Sequence, residues 1–205
     1  MWTYLENWLV QDGEIPELQA GDELHHVAVR GTCWSVAESQ APEGLTELRG
    51  QDPAGDVAPH YELTGTVEWA REPSTLLLRV GTVRVLAEPN SFRTVRTGSG
   101  DAAGAEPYSP SFWVPAIGTR VTAVCRLEVM ADYETDAFAF PDIRRDWRVR
   151  KVLVEHRSRV QPTTGGGDSI VGRVVRVDTI DRMRRWADEN GRDHVTYCLD
   201  LRIRR

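Results

Sequence analysis

The chain has 205 residues, of which 40% are hydrophobic, 27% are charged and only three are cysteines. This length accommodates one large domain or two small ones. No apolar run approaches the roughly 18–20 residues that a membrane-spanning helix needs, and three widely spaced cysteines do not favour a disulfide framework, so we expect a reduced, cytoplasmic protein.

The formal charge of −6 conceals a gradient along the chain. Residues 1–62 sum to −10, residues 63–141 to −2 and residues 142–205 to +6. This asymmetry favours docking between the acidic N-terminal and basic C-terminal halves, self-association through them, an unidentified protein partner or a nucleic acid. Docking within the chain requires no second molecule, so it is the simplest of these interpretations.

The first predicted elements are an N-terminal segment and a strand that follows a proline and a glycine. The segment 2–9 fits either a strand or one face of a helix. After it, proline and then glycine precede a strand within 15–29, and the same order recurs within 114–129. Proline belongs at the entry to a strand, and Gly21 and Gly118 are typical of the turn that follows. In the second copy the residues after the turn alternate apolar and polar, which predicts a half-buried strand.

A glycine-centred strand also occurs twice. LTGTVEWA is centred on Gly65, and SIVGRVVRV is centred on Gly172. Glycine inside a strand is typical of the bulge or bend that lets a small barrel close. Each phrase is followed by a further predicted strand, at 75–87 and at 194–203. The three-strand order therefore indicates an internal repeat with a period of about 100 residues.

Three other segments are predicted to form a loop, a linker and a helix. Residues 38–59 are rich in turn-forming residues and predict a surface loop with one helical turn, and residues 96–111 predict a linker. One short helix is predicted over 179–190, where apolar residues recur at helical spacing. Asp178 or Thr179 would cap its start.

These elements together predict an all-β chain of tandem small OB-like or SH3-like β-barrels with one short helix near the C-terminus. We expect an acidic N-terminal barrel over 1–95, the linker over 96–111 and a basic C-terminal barrel over 112–205 that contains the helix 179–190. Small barrels are filled by their own side chains, so binding on a surface is favoured over a deep enzymatic pocket.

Short patches of the chain resemble a known family. The phrases YLENW, GEIP, AGDEL and YCLDL are similar to those of short actinobacterial proteins of unknown function. That family opens with an apolar-Asp-Asp-Trp phrase, continues through Val-Gly-Asp-x-Val and ends on Tyr-x-Val-Asp-Leu; here Asn7 stands in place of an aspartate. The resemblance implies an actinobacterial origin and no known activity.

Motifs for catalysis or metal binding are weak. Ser169 lies in a Gly-Asp-Ser-Ile phrase similar to an esterase motif, but it precedes a strand instead of a helix, so a serine hydrolase is only a third alternative. Adjacent His25 and His26 would face opposite sides of a strand, and the acidic segment 132–136 is typical of a solvated turn. We therefore expect a non-enzymatic protein without a metal or cofactor.

The strongest candidate for binding is the basic strand RRDWRVRKVLVEHRSRV at 144–160. Strict alternation would place Arg148 and Arg150 on one face and Trp147 and Lys151 on the other. We predict that these four residues bind the ligand of a binding or interaction module whose ligand is unknown. Because OB-like barrels bind single strands through arginines and stacking aromatics, the alternative is single-stranded nucleic-acid binding through the C-terminal barrel.

Overall fold

The computed structural model describes residues 1–48, 59–71, 75–89, 115–130, 143–160, 170–184 and 193–203, which consist mainly of β-strands. The strands are β1 Trp2–Glu6, β2 Glu23–Val27, β3 Val29–Glu38, β4 Gly44–Leu48, β5 His60–Arg71, β6 Thr75–Val80, β7 Val83–Pro89, β8 Arg120–Val129, β9 Arg145–Val160, β10 Ile170–Thr179 and β11 Asp193–Ile203. The short helix α1, Asn7–Gln11, follows β1 directly. None of the described segments forms a helix of the length and apolarity required to cross a bilayer.

Five of the strands close into a barrel. β5, β6 and β7 form an antiparallel meander, and β7 pairs in parallel with β3. β3 then pairs antiparallel with β8, which returns antiparallel to β5 and completes the cycle. The interior is filled by small and branched apolar side chains, among them Leu63, Leu78, Val85 and Ala123, all fully buried. The prediction of an all-β protein with a β-barrel is therefore confirmed.

The remaining strands extend the sheet away from the barrel. β8 pairs in parallel with β1 at Tyr4 and Glu128, beyond the part of β8 that pairs with β5. β1 pairs with β11, and β11 pairs with β9. The other side of β9 pairs with β2 near its start and with β10 near its end. A hydrogen bond of 2.7 Å from the Trp2 backbone N–H to the Tyr61 hydroxyl also joins the extension to the barrel.

One hydrophobic core serves both parts of the sheet. Its buried cluster contains Leu63 and Val121 from the barrel together with Leu5, Trp147 and Leu199 from the extension. Apolar side chains that contact one another in a continuous cluster leave water together, so the two parts stabilise each other. The core therefore gives no sign of a boundary between barrel and extension.

The strand order differs from the predicted succession of two complete barrels. β8, which the sequence placed in the C-terminal barrel 112–205, closes the barrel formed by β3, β5, β6 and β7. Conversely, β1 and β2, placed in the N-terminal barrel 1–95, pair with β11 and β9. The described strands thus interleave the two halves and contain one closed barrel. The linker predicted at 96–111 lies outside the described residues.

Several glycine predictions are confirmed. Gly21 and Gly118 have φ values of 99° and 91°, which place both in the left-handed turn conformation before their strands. The pairing of β10 with β9 is irregular between Val171 and Val174, an interval that contains Gly172. However, the two glycine-centred strands have different neighbours. β5 is a strand of the barrel wall with partners on both sides, whereas β10 pairs with β9 alone among the described strands. The sequence repeat therefore does not correspond to equivalent positions in the sheet.

Three local predictions are corrected by the structure. The predicted strand 75–87 is a hairpin, since Gly81, at a φ of 60°, and Thr82 form a turn between β6 and β7. The helical turn predicted within 38–59 is instead the edge strand β4. The helix predicted over 179–190 does not begin where expected, because residue 179 belongs to β10 and residues 180–184 are not helical; residues 185–192 lie outside the described part.

Candidate functional site

The structure separates the four predicted ligand-binding residues. Arg148, Arg150 and Lys151 are all exposed on the outer surface of β9. Trp147 is only 2% exposed and lies in the core, where its ring nitrogen donates a hydrogen bond of 3.0 Å to the carbonyl of Val27. The indole therefore fixes β2 against β9 and does not present a face on which a base could stack.

A β-bulge explains why the two faces of β9 differ from the prediction. Opposite β11, Asp200 pairs with Lys151 and Leu201 pairs with Val149, so Arg150 is an extra residue in β9. A bulge directs two consecutive side chains to the same side of a sheet. Arg150 and Lys151 accordingly point outward together, and Arg148 lies on the same exposed face. We call this surface, completed by Arg202 of β11, the cationic face.

Arg202 was missed by the sequence analysis although a signal for it existed. It alternates with the buried Leu201 and Ile203, so the pattern of β11 places it outside. Register pairs Arg202 directly with Arg148. Directly paired residues in an antiparallel sheet lie on the same face with their Cβ atoms about 4.5–5.5 Å apart. The two guanidinium groups therefore belong to one site, which only the strand register could reveal.

The cationic face has four cations, and strand register places two carboxylates beside them, Glu23 opposite Arg148 and Asp200 opposite Lys151. Arg150 contacts Asp200 at 3.5 Å, but the same carboxylate also accepts from the Met1 ammonium at 3.1 Å. Within the described segments, no ion pair involves Arg148, Lys151 or Arg202. Like charges on adjacent positions repel one another unless a counter-charge is present. This face is therefore suited to an anionic group.

The carboxylates of Glu23 and Asp146, which flank Arg148, both contact a histidine. His25 lies 3.4 Å from Asp146 and 3.5 Å from Glu23. His26, whose φ of 54° is unusual for a residue other than glycine, donates its backbone N–H to Asp146 at 3.1 Å. This backbone hydrogen bond, followed by the contact with His25, lowers the pKa of Asp146. Asp146 therefore stays ionised but is engaged with β2.

An open apolar pocket of about 640 Å³ lies beside the cationic face. It forms where the β6–β7 turn, the edge strand β4 and the end of β11 come together. Its apolar lining residues are Met1, Leu45, Val83, Trp147, Leu201 and Ile203. Thr82 and Arg202 are the other described lining residues, and Met1 also carries the N-terminal ammonium. Pockets of about 300–1,000 Å³ with apolar walls and few polar groups are typical ligand sites.

Two other charged clusters in the described part of the chain are internally neutralised. On the outside of the barrel, Glu68 pairs with Arg79 at 3.2 Å and with Arg84 at 2.6 Å. Within the extension, the fully buried Glu155 accepts hydrogen bonds from the Tyr4 hydroxyl at 3.0 Å and from Arg157 at 2.7 Å. These pairs satisfy their own charges, whereas Arg148, Lys151 and Arg202 have no ion pair among the described residues.

The other residues considered for catalysis or metal binding form no site within the part of the chain that the structure describes. No group of three or more potential metal ligands converges in the described part of the chain. Ser169 and the acidic segment 132–136 lie outside the described residues. The three cysteines are buried and form no disulfide; the hydrogen bond with Cys125 and then burial raise the pKa of the Cys33 thiol, so this thiol stays protonated inside the barrel.

Comparison with known proteins does not extend these observations. No protein-family model matches this chain, and neither does any curated protein or solved structure.

Proposed function

We propose that this protein is a non-enzymatic binding module that recognises an anionic ligand through the cationic face. The observation that carries the proposal is the set of cations aligned by the bulge in β9 and by β11. Three of them have no ionic partner among the described residues. Arginine forks bind carboxylate and phosphate oxygens in pairs, so the face suits either group.

The proposal extends to the type of barrel and to the setting of the protein. We propose that the barrel is OB-like; its three-stranded meander, two further antiparallel contacts and one parallel contact support this. Here the strand that makes the parallel contact, β3, precedes the meander instead of following it, which makes the barrel a circular permutation. We also propose a cytoplasmic location, an actinobacterial origin and a protein partner.

Binding of inorganic polyphosphate at two salt concentrations tests the proposed function. We expect binding that weakens as salt screens the charges and that is largely lost in the triple variant Arg148→Ala/Arg150→Ala/Lys151→Ala. The matched control is Arg176→Ala, because that arginine is 62% exposed but lies on β10. Equal binding by the triple variant and the unchanged protein would contradict the proposal.

Single-stranded nucleic acid is a second candidate for the same face. The alternate positions of a strand lie about 6–7 Å apart, so cations along β9 can contact successive anionic groups of an extended chain. Since Trp147 is buried, we expect phosphate contacts without stacking and therefore little sequence preference. With an oligothymidine probe, the triple variant should lower the salt slope by about 2 if each cation contacts one phosphate.

A further inference from the structure

Two of the three cysteines lie directly opposite each other in the barrel wall. Cys33 of β3 pairs with Cys125 of β8, and the two residues are 1% and 0% exposed. Directly paired residues of an antiparallel ladder have Cα atoms about 4.5–5.5 Å apart. A disulfide requires a Cα separation of about 4.4–6.8 Å. The register of β3 and β8 therefore already provides the backbone spacing of a disulfide.

The two sulfur atoms also lie close together, against Gly31. The Cys33 thiol donates a hydrogen bond of 3.2 Å to the Gly31 carbonyl. A Cβ atom at Gly31 would lie only 2.9 Å from the Cys125 Sγ, so the missing side chain provides the space beside this sulfur. The two thiols are also hydrogen-bonded to each other. Both side chains therefore occupy the same part of the barrel interior, and an S–S bond between them requires no movement of the strands past each other.

The barrel wall is irregular beside this pair. The register of β3 with β8 shifts between Cys33 and Ser35. On the other side of β3, Cys33 pairs with Pro89, the last residue of β7, and proline has no backbone N–H to donate to a ladder. Segments with fewer backbone hydrogen bonds open locally at a lower free energy than continuous ladders do. A small neutral oxidant can therefore reach the buried thiols without global unfolding.

We infer that Cys33 and Cys125 form a redox-sensitive modification site, at which hydrogen peroxide oxidises the two thiols to a disulfide that joins β3 to β8. One sulfur attacks a peroxide oxygen and becomes a sulfenic acid, while the other oxygen leaves with the thiol proton as water. The second sulfur then attacks the sulfenic sulfur, and its hydroxyl leaves with the second thiol proton as another water. The two sulfurs together lose two electrons, which reduce the peroxide.

The fold makes this oxidation slow and selective. The hydrogen bond with Cys125 and then burial raise the pKa of Cys33, so its thiol stays protonated, and only a thiolate attacks peroxide readily. Cys198 lies in the extension, where it pairs with Tyr4 and Leu153 instead of a cysteine. Strand register therefore selects Cys33 and Cys125 for the disulfide and leaves Cys198 as a thiol.

Peroxide treatment of the folded full chain tests this inference. After catalase removes the remaining hydrogen peroxide, the protein is denatured, alkylated with iodoacetamide and measured by mass spectrometry. We expect one alkylated cysteine instead of three and a cross-linked peptide that joins Cys33 to Cys125. Dithiothreitol should restore alkylation of all three. No disulfide after prolonged exposure, or a disulfide that involves Cys198, would overturn the inference.

Matched cysteine variants connect the disulfide to stability. A cross-link between residues far apart in the chain restricts the unfolded state, so the oxidised protein should unfold at a higher urea concentration than the reduced protein. Cys198→Ala should keep this rise, whereas Cys33→Ala and Cys125→Ala should lose it. An equal rise in peroxide-treated Cys125→Ala would overturn the inference. If a variant does not fold, the peptide map of the unchanged protein still decides which cysteines are joined.

Discussion

Gly65 lies where β5 comes closest to β6, and its lack of a side chain permits that approach. A Cβ atom at this position would lie 2.6 Å from the Arg79 carbonyl oxygen and 2.8 Å from a methyl carbon of Val80. The nearest obstacle is backbone, which cannot move aside as the end of a long side chain can. Glycine here therefore allows the barrel wall to curve, as the sequence phrase around it predicted.

Substituting this glycine should destabilise the barrel. We expect Gly65→Ala to lower the free energy of unfolding by about 1–3 kcal/mol, the usual cost of forcing an extra methyl group into a packed site. Gly44→Ala is the matched control, since a Cβ there has nothing within 4 Å. The control should be neutral or stabilising by up to about 1 kcal/mol. Urea unfolding of both variants measures the difference, and equal losses would contradict this account.

At the scale of the element, the bulge in β9 decides which residues face the core. On both sides of Arg150, inward residues pair with inward residues of β11: Val149 with Leu201 and Val152 with Leu199. Three residue steps along β9, from Val149 to Val152, therefore lie opposite two steps along β11, from Leu201 to Leu199. Without Arg150 the two strands would form a regular ladder, with the same residues still facing inward.

This geometry makes deletions of two neighbouring exposed arginines unequal. Deleting Arg150 should leave the burial of Trp147 and Val149 intact and cost little stability. Deleting Arg148 makes those two residues adjacent, so one must leave the core, and we expect a loss at least about 3 kcal/mol larger. Urea denaturation followed by circular dichroism compares the two variants. Similar losses would show that the bulge does not set the register.

The bulge also marks the limit of what the sequence could predict about the site. The existence of β9, its basic character and the shared face of Arg148 and Arg150 followed from composition and alternation. The position of Lys151 on the same face did not, because alternation cannot reveal an unpaired extra residue. Burial of Trp147 was equally hidden, since a tryptophan flanked by arginines fits a stacking platform as well as a core.

At the scale of the whole molecule, the sequence identified most strands but not their partners. Alternation predicted that the strand after Gly118 is half-buried, and Val121 and Cys125 of β8 do lie in the core. It could not show that β1 and β2 pair with β11 and β9, because pairing depends on contacts between residues far apart in the chain. The predicted succession of barrels relied on a short repeated phrase whose two copies have different neighbours in the sheet.

Interleaving predicts that neither half folds by itself. Residues 1–95 lack β8, which completes the barrel, and also lack the partners of β1 and β2. We expect the full chain to unfold in urea in one transition, with coincident tryptophan fluorescence and circular dichroism, and the piece 1–95 to show no cooperative transition. A cooperative transition of 1–95 alone would contradict the interleaved architecture.

The pairing of β1 with β11 has a consequence for synthesis on the ribosome. The Met1 ammonium and its partner Asp200 are separated by 199 positions in the chain. Translation proceeds at about 5–20 residues per second, so β1 emerges many seconds before the strand that covers its edge. During that interval an unpaired strand edge is open to wrong partners. Nascent chains of this protein should therefore depend on a holding chaperone until translation of β11 is complete.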